Sequence, residues 1–182
     1  MARATLSHQL HDLGLAAWFG GTLANAVSLN DAAGQGDDPS AVGAVANAGW
    51  DRWTPVNAVA IAAHLVGSVG LLKHDLGRVH AQQGVASMAL GTTALTVGAL
   101  GITAYSRRLG RTVSQHGAVP AADGTTPVAE TPADVATAQR RLARLQWAVP
   151  AVTGALVAIA SYASEQYRPE EVSRGVLQRF TS

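Results

Sequence analysis

The residues with the greatest chemical potential in this chain are its six histidines: His8, His11, His64, His74, His80 and His116. Near neutral pH an imidazole can move a proton, ligate a metal ion or hold a haem iron. His8, His11 and Asp12 stand at i, i+3 and i+4, so on a helix they share roughly one face. His74 and Asp75 lie further along the chain, with His80 just beyond. Imidazoles and carboxylates together suit zinc, iron or copper. His11, Asp12 and His74 are therefore the candidate ligands of an interfacial metal or proton site. A simpler explanation stands beside that one: polar residues gather at helix ends because water is there. The tetrapeptide His-Asp-Leu-Gly recurs at 11–14 and 74–77, but so biased a composition gives the repeat little weight. A haem held by two histidines needs both at similar depth on facing helices. Only His64 falls at mid-depth in a candidate span, so no bis-histidine haem is expected.

Other chemistries are limited by what the chain lacks. It contains no cysteine, which removes disulfides, thiolate metal sites, iron–sulfur clusters and thiol redox catalysis. No phosphate-binding glycine loop, dinucleotide fingerprint or serine elbow occurs. Net charge is +1, so no global field attracts nucleic acid, and no nucleic-acid partner is expected. Charged residues make up only 14% of the chain, against about 25% in soluble domains.

The elements that must position these residues follow from where charge is missing. Taking histidine as neutral, the stretches 13–30, 53–72, 79–106 and 145–164 are uncharged runs of 18, 20, 28 and 20 residues. A helix crosses the hydrocarbon in about 20 predominantly apolar residues. A soluble bundle would need charge to recur every three or four residues on each outer face, and none of the four runs has it. The spacing predicts an all-α, integral membrane four-helix bundle over 1–168, with spans at about 10–29, 55–72, 84–105 and 145–165. The first span is too polar for a cleaved signal peptide and is read as retained.

Asp38-Pro39 predicts the start of a short interfacial helix in loop one, ending near Asn47. Trp50 and Trp53 then sit at a membrane–water boundary before the second span. Residues 112–131 are rich in Gly, Ala, Pro and Thr and are expected to form a flexible loop. Thr131-Pro132-Ala133-Asp134 predicts a helix start. That helix should be long, stand first in water, pass Pro150 with a kink and end near Tyr167. Residues 169–182 are expected to form an amphipathic C-terminal tail. Lysine and arginine divide almost evenly between the two sides, so the positive-inside rule selects no orientation.

Within the spans, residue type is organised in stripes. In the third, Gly84, Ser87, Gly91, Ala94, Gly98 and Gly101 recur at alternating spacings of three and four and form one small-residue face. Close backbone approach drives helix association in lipid. The seam should serve packing within the monomer or, on the sharper reading, a homo-oligomer interface. Met88, Leu95 and Ile102 fall on another face. The first span carries Ser7, His11, Gly14, Trp18, Gly21, Asn25 and Ser28; the second carries Asn57, His64, Gly67 and His74. Trp18, Asn25, Asn57 and His64 are the candidate intramembrane polar residues, and Asn25 and Asn57 could hydrogen-bond at one depth.

The run from Leu10 to Gly21, His-Asp-Leu-Gly-Leu-Ala-Ala-Trp-Phe within it, resembles the opening span of actinobacterial four-helix membrane proteins. Twelve arginines against one lysine fit such a high-GC source. More distantly, the layout is similar to a family of small four-span proteins of unknown function. That likeness implies a fold and no activity. The expected function is a non-enzymatic multi-pass protein of the cell membrane, a scaffold or accessory subunit able to self-associate. Its partners would be the lipid bilayer and a homo-oligomer or membrane complex, with no cofactor beyond the interfacial metal. The alternatives are a small transporter using His64 and a metal or redox protein using the His/Asp cluster.

Overall fold

The computed structural model describes residues 4–81 and 84–165. The expected tail, 169–182, and the side chain of His80 lie outside the described residues. The protein is all-α, with four helical rods packed as a bundle. α1 (Thr5–Ala24) continues through a π-helical turn, Asn25–Leu29, into α2 (Asn30–Ala33). α3 (Pro39–Ala81), α4 (Val85–Gln115) and α5 (Ala133–Glu165) are the other three. α1 packs mainly against α3, α4 mainly against α5, and α3 touches α4 much less.

Among the described residues, three helices are long and apolar enough to cross a membrane: Pro39–Gly77, Val85–Gln115 and Ala133–Ser164, with mean hydropathies of 1.7, 1.6 and 1.4 over their most apolar stretches. α1 is not among them. His8, Gln9, His11 and Asp12 dilute its first turns.

The short helix expected in loop one is not separate. α3 starts at Pro39, where Asp38 Oδ1 accepts the Ser40 amide at 2.9 Å, and then runs unbroken for 43 residues with Pro55 inside it. A proline within a helix forfeits one backbone bond and crowds the preceding turn. Here the turn before Pro55 is fixed from outside. Trp50 donates to Asn30 at 3.0 Å, Asp51 pairs with Arg107 at 3.0 Å, and the Trp53 ring lies against Gly21.

The small-residue seam of the third span does not pack within the monomer. Gly84, Ser87, Gly91, Ala94, Gly98 and Gly101 are all exposed, and a Cβ added at any of its four glycines would meet nothing within 4 Å. Leu95 and Ile102, on the other face, pack against the core of Leu15, Trp18, Ala60, Ala99, Val149 and Leu156. α4 therefore turns Leu95 and Ile102 inward, where volume is needed, and its glycine seam outward.

Residues 112–115 belong to α4. The remainder of the expected flexible loop folds onto the bundle. Val119 joins a second core with Leu109, Val113, Val135 and Ala138, and Ala121 a third with Ala33, Val42 and Ala46. The Thr131 hydroxyl accepts the Val128 amide at 2.9 Å and donates to the Pro120 carbonyl at 2.6 Å, so it holds the loop together. The first turns of α5 are packed by the same core, with Val135 and Gln139 almost wholly buried.

Candidate functional site

α1 and α3 approach backbone to backbone, because each presents glycine at the crossing. A Cβ on Gly14 would strike the Ala60 carbonyl and the His64 backbone; one on Gly67 would strike the Ser7 carbonyl and the His11 backbone. Gly70 is closed in the same way by the Ser7 side chain. The tight small-residue contact expected of α4 is thus found here.

This crossing places His64 against α1 with only 1% of its surface exposed. Its ring centroid lies 4.6 Å from that of His11, tilted by 45°, and 6.1 Å from that of Trp18. His64 Nδ1 faces the His11 carbonyl at 3.4 Å. His64 Nε2 and Trp18 Nε1 are buried without a protein partner. His11 Nδ1 lies 2.7 Å from Asp12 Oδ1. Asp12, His11 and His64 thus form a file running from a side chain 63% exposed into the bundle interior. A carboxylate beside an imidazole orients the ring. The same file borders a cavity of about 570 Å³, closed on the far side by α4 and α5. Thr92 and Thr93 line it too, but their hydroxyls return to the carbonyls of Met88 and Ala89, so the α4 wall is largely apolar.

The candidate metal ligands divide into neighbouring pairs: His11 with Asp12, and His74 Nδ1 with Asp75 at 3.2 Å. Among the described residues, no three His, Asp or Glu side chains are gathered as metal ligands would be. Asn25 and Asn57 do not bond to each other. Asn25 opens the π-helical turn, and Asn57, whose Oδ1 is buried without a protein partner, lines a second cavity. His116 closes α4, with Nε2 3.3 Å from Asp134 at the start of α5.

Sequence reasoning missed Asn30, which is 2% exposed. It accepts from Trp50, donates to Gln146 Oε1 and, through its carbonyl, accepts the Gly124 amide at 3.3 Å. Four parts of the chain meet there. On a regular α-helix Asn30 would sit roughly 120° around from Trp18. The π-helical turn inserts about one residue and brings Asn30 back to the buried face. Trp50 was the available signal, since a packed indole N–H needs an acceptor.

In the loop beyond α4, Asp123 Oδ1 accepts the amides of Thr125 and Thr126 at 2.7 and 2.8 Å and the Thr125 hydroxyl at 3.2 Å. Burial pushes this carboxyl up, but those hydrogen bonds outweigh it and hold the group below the usual carboxylate range.

No family model, curated protein or solved structure matches the chain, so the likeness seen in the first span adds no relative from which a function could be transferred.

Proposed function

We propose that the chain is a non-enzymatic multi-pass protein of the cell membrane, a scaffold or accessory subunit that self-associates through α4, with α1 as a fourth crossing. The observation that carries this is the outward face of α4. Only 6% of its apolar window is buried, and Leu90 and Val97 stand 73% and 62% exposed beside the seam. Burying apolar surface is worth about 25 cal/mol per Å² in water, so a helix left this bare is at rest in lipid. There, a smooth strip of glycine, alanine and serine allows a second helix to approach closely.

The test uses the full chain in native membranes and then in nanodiscs. The protein stays with the membrane after alkaline extraction and cross-links as a discrete oligomer. The Gly91→Leu/Gly98→Leu variant keeps its fold, because neither position touches the rest of the monomer, and the oligomer is lost. Release by alkali, or an oligomer untouched by the double substitution, refutes the reading.

A second reading is favoured by the Asp12–His11–His64 file: a small proton-linked carrier whose ionisable interior group is His64. Buried ionisable residues in membrane helices mark ion and proton paths. Proton-coupled flux in vesicles should vanish in His64→Ala; flux that persists removes His64 from the mechanism.

A further inference from the structure

We infer that the arginine-bearing flank of α4 and α5 is a docking surface for anionic phospholipid, held through the headgroup phosphate. The inference rests on the chain's spanning a membrane, and adds which lipid it selects and where.

The basic residues concerned are carried by two neighbouring helices. Arg108 and Arg111 stand near the end of α4, and Arg140, Arg141 and Arg144 in the first half of α5; all five are exposed. The helices are tied together there. Arg141 donates to the Tyr105 hydroxyl at 2.8 Å, and His116 lies 3.3 Å from Asp134. These two links fall in opposite chain order, so α4 and α5 are antiparallel and bring their arginines to one end of the bundle.

Depth follows from the pattern of charge. The uncharged run of α4 ends at residue 106, and that of α5 begins at residue 145. Tyr105 and Trp147 mark the same boundary, 40% and 51% exposed. Amphipathic rings favour the headgroup level. Arg108 stands one turn from Tyr105, and Arg144 one turn from Trp147, so each helix sets a guanidinium beside an aromatic ring. The arginines are therefore at the edge of the hydrocarbon or just outside it, where lipid phosphates lie.

The protein does not neutralise them. Among the described residues, none of the five is paired with a carboxylate. Asp51 is taken by Arg107 and Asp134 by His116, while Asp123 accepts the amides of Thr125 and Thr126. Asp31, Asp37, Asp38 and Glu130 stand in α2 and in the turns before α3 and α5, and none of them pairs with these arginines. A guanidinium is a planar fork that matches the oxygens of a phosphate two at a time. Phosphatidylcholine brings its own cation beside that phosphate. Phosphatidylglycerol leaves the negative charge for the protein to meet, and basic residues at a membrane surface favour such a lipid.

The test is tryptophan fluorescence of the full chain in phosphatidylcholine nanodiscs that carry a rising fraction of acyl-brominated lipid, either phosphatidylglycerol or phosphatidylcholine. Quenching by brominated phosphatidylcholine reports only that tryptophan faces lipid; its absence would refute the membrane reading and the proposal with it. The proposal is read from the difference between the two lipids. Brominated phosphatidylglycerol should reach half-quenching at a mole fraction roughly fivefold lower, the equivalent of about 1 kcal/mol, as expected of one arginine. Arg108→Gln/Arg144→Gln should bring the two curves together while helicity and melting temperature stay unchanged, because both side chains are exposed. Lys73→Gln, near the other end of α3, should keep the preference. Trp147→Phe should remove the lipid-selective part of the quenching. Equal quenching by both lipids in the native chain overturns the proposal and leaves these arginines to a soluble anion or an acidic protein. A preference that survives the double variant or Trp147→Phe, or that Lys73→Gln abolishes, overturns it as well, because the lipid is then held elsewhere.

Discussion

A methyl group added at Gly14 has nowhere to go. It would meet the Ala60 carbonyl and the His64 backbone, and backbone cannot rotate aside as a long side chain can. Gly14→Ala should lower stability by about 1–3 kcal/mol, the usual cost of overpacking, and move the His64 ring away from α1. Gly91→Ala makes the same chemical change where a Cβ meets nothing and should leave the melting temperature of the monomer unchanged. Thermal unfolding of the two variants in detergent, compared side by side, checks this. The difference could not be read from the chain alone. Both glycines lie in small or mixed stripes, and spacing says which residues share a face but not which face meets a neighbour. His11, Trp18, Asn57 and His64 were legible as polar residues of membrane-facing runs. That His64 would settle against His11, and Asn57 in another cavity altogether, depends on the depth and angle of the α1–α3 crossing, which is a tertiary quantity.

Helices carry their own form of this ambiguity. Pro39 and Asp38 announced the start of α3 correctly, because capping is local chemistry. Pro55 suggested a boundary, and the helix runs through it, with indole and ion-pair contacts to α1, α2 and α4 holding the turn before it. The seam on α4 was visible as a pattern and its direction was not. In water, small residues on one face suggest close packing inside. In this bundle the inner face of α4 must fill volume against Leu15, Trp18 and Leu156, so the larger residues win it. The π-helical turn between α1 and α2 has no sequence rule of its own, and it decides that Asn30 is an internal hub joining α3, α5 and the loop. A loop rich in Gly, Ala, Pro and Thr reads as mobile by composition, but Val119 and Ala121 are enough to anchor it.

At the scale of the whole molecule, the distribution of polarity is the most legible property. Two of the four uncharged runs, 53–72 and 145–164, lie within apolar helices of membrane length, as does most of a third, 79–106, and the bundle exposes apolar side chains that a soluble one would bury. Valine and leucine face outward at Leu13, Val59, Leu90 and Val97, while His64, Asn30, Gln139 and Thr153 are buried. Charge-free length shows this directly, because hydrocarbon excludes charge whatever the packing. It does not show that the interior is hollow at both ends. The two cavities, about 350 and 570 Å³, have a single lining residue in common, Leu100. That isobutyl group packs against the core of Leu15, Trp18, Ala60, Ala99, Val149 and Leu156 and forms part of the wall of both cavities. Leu100→Ala should join the two voids, and liposomes bearing that variant should lose a pH gradient faster than liposomes bearing the native chain. An unchanged leak would mean that the walls close in around the missing side chain. Either way, Leu100 is a single side chain that belongs to the walls of both cavities.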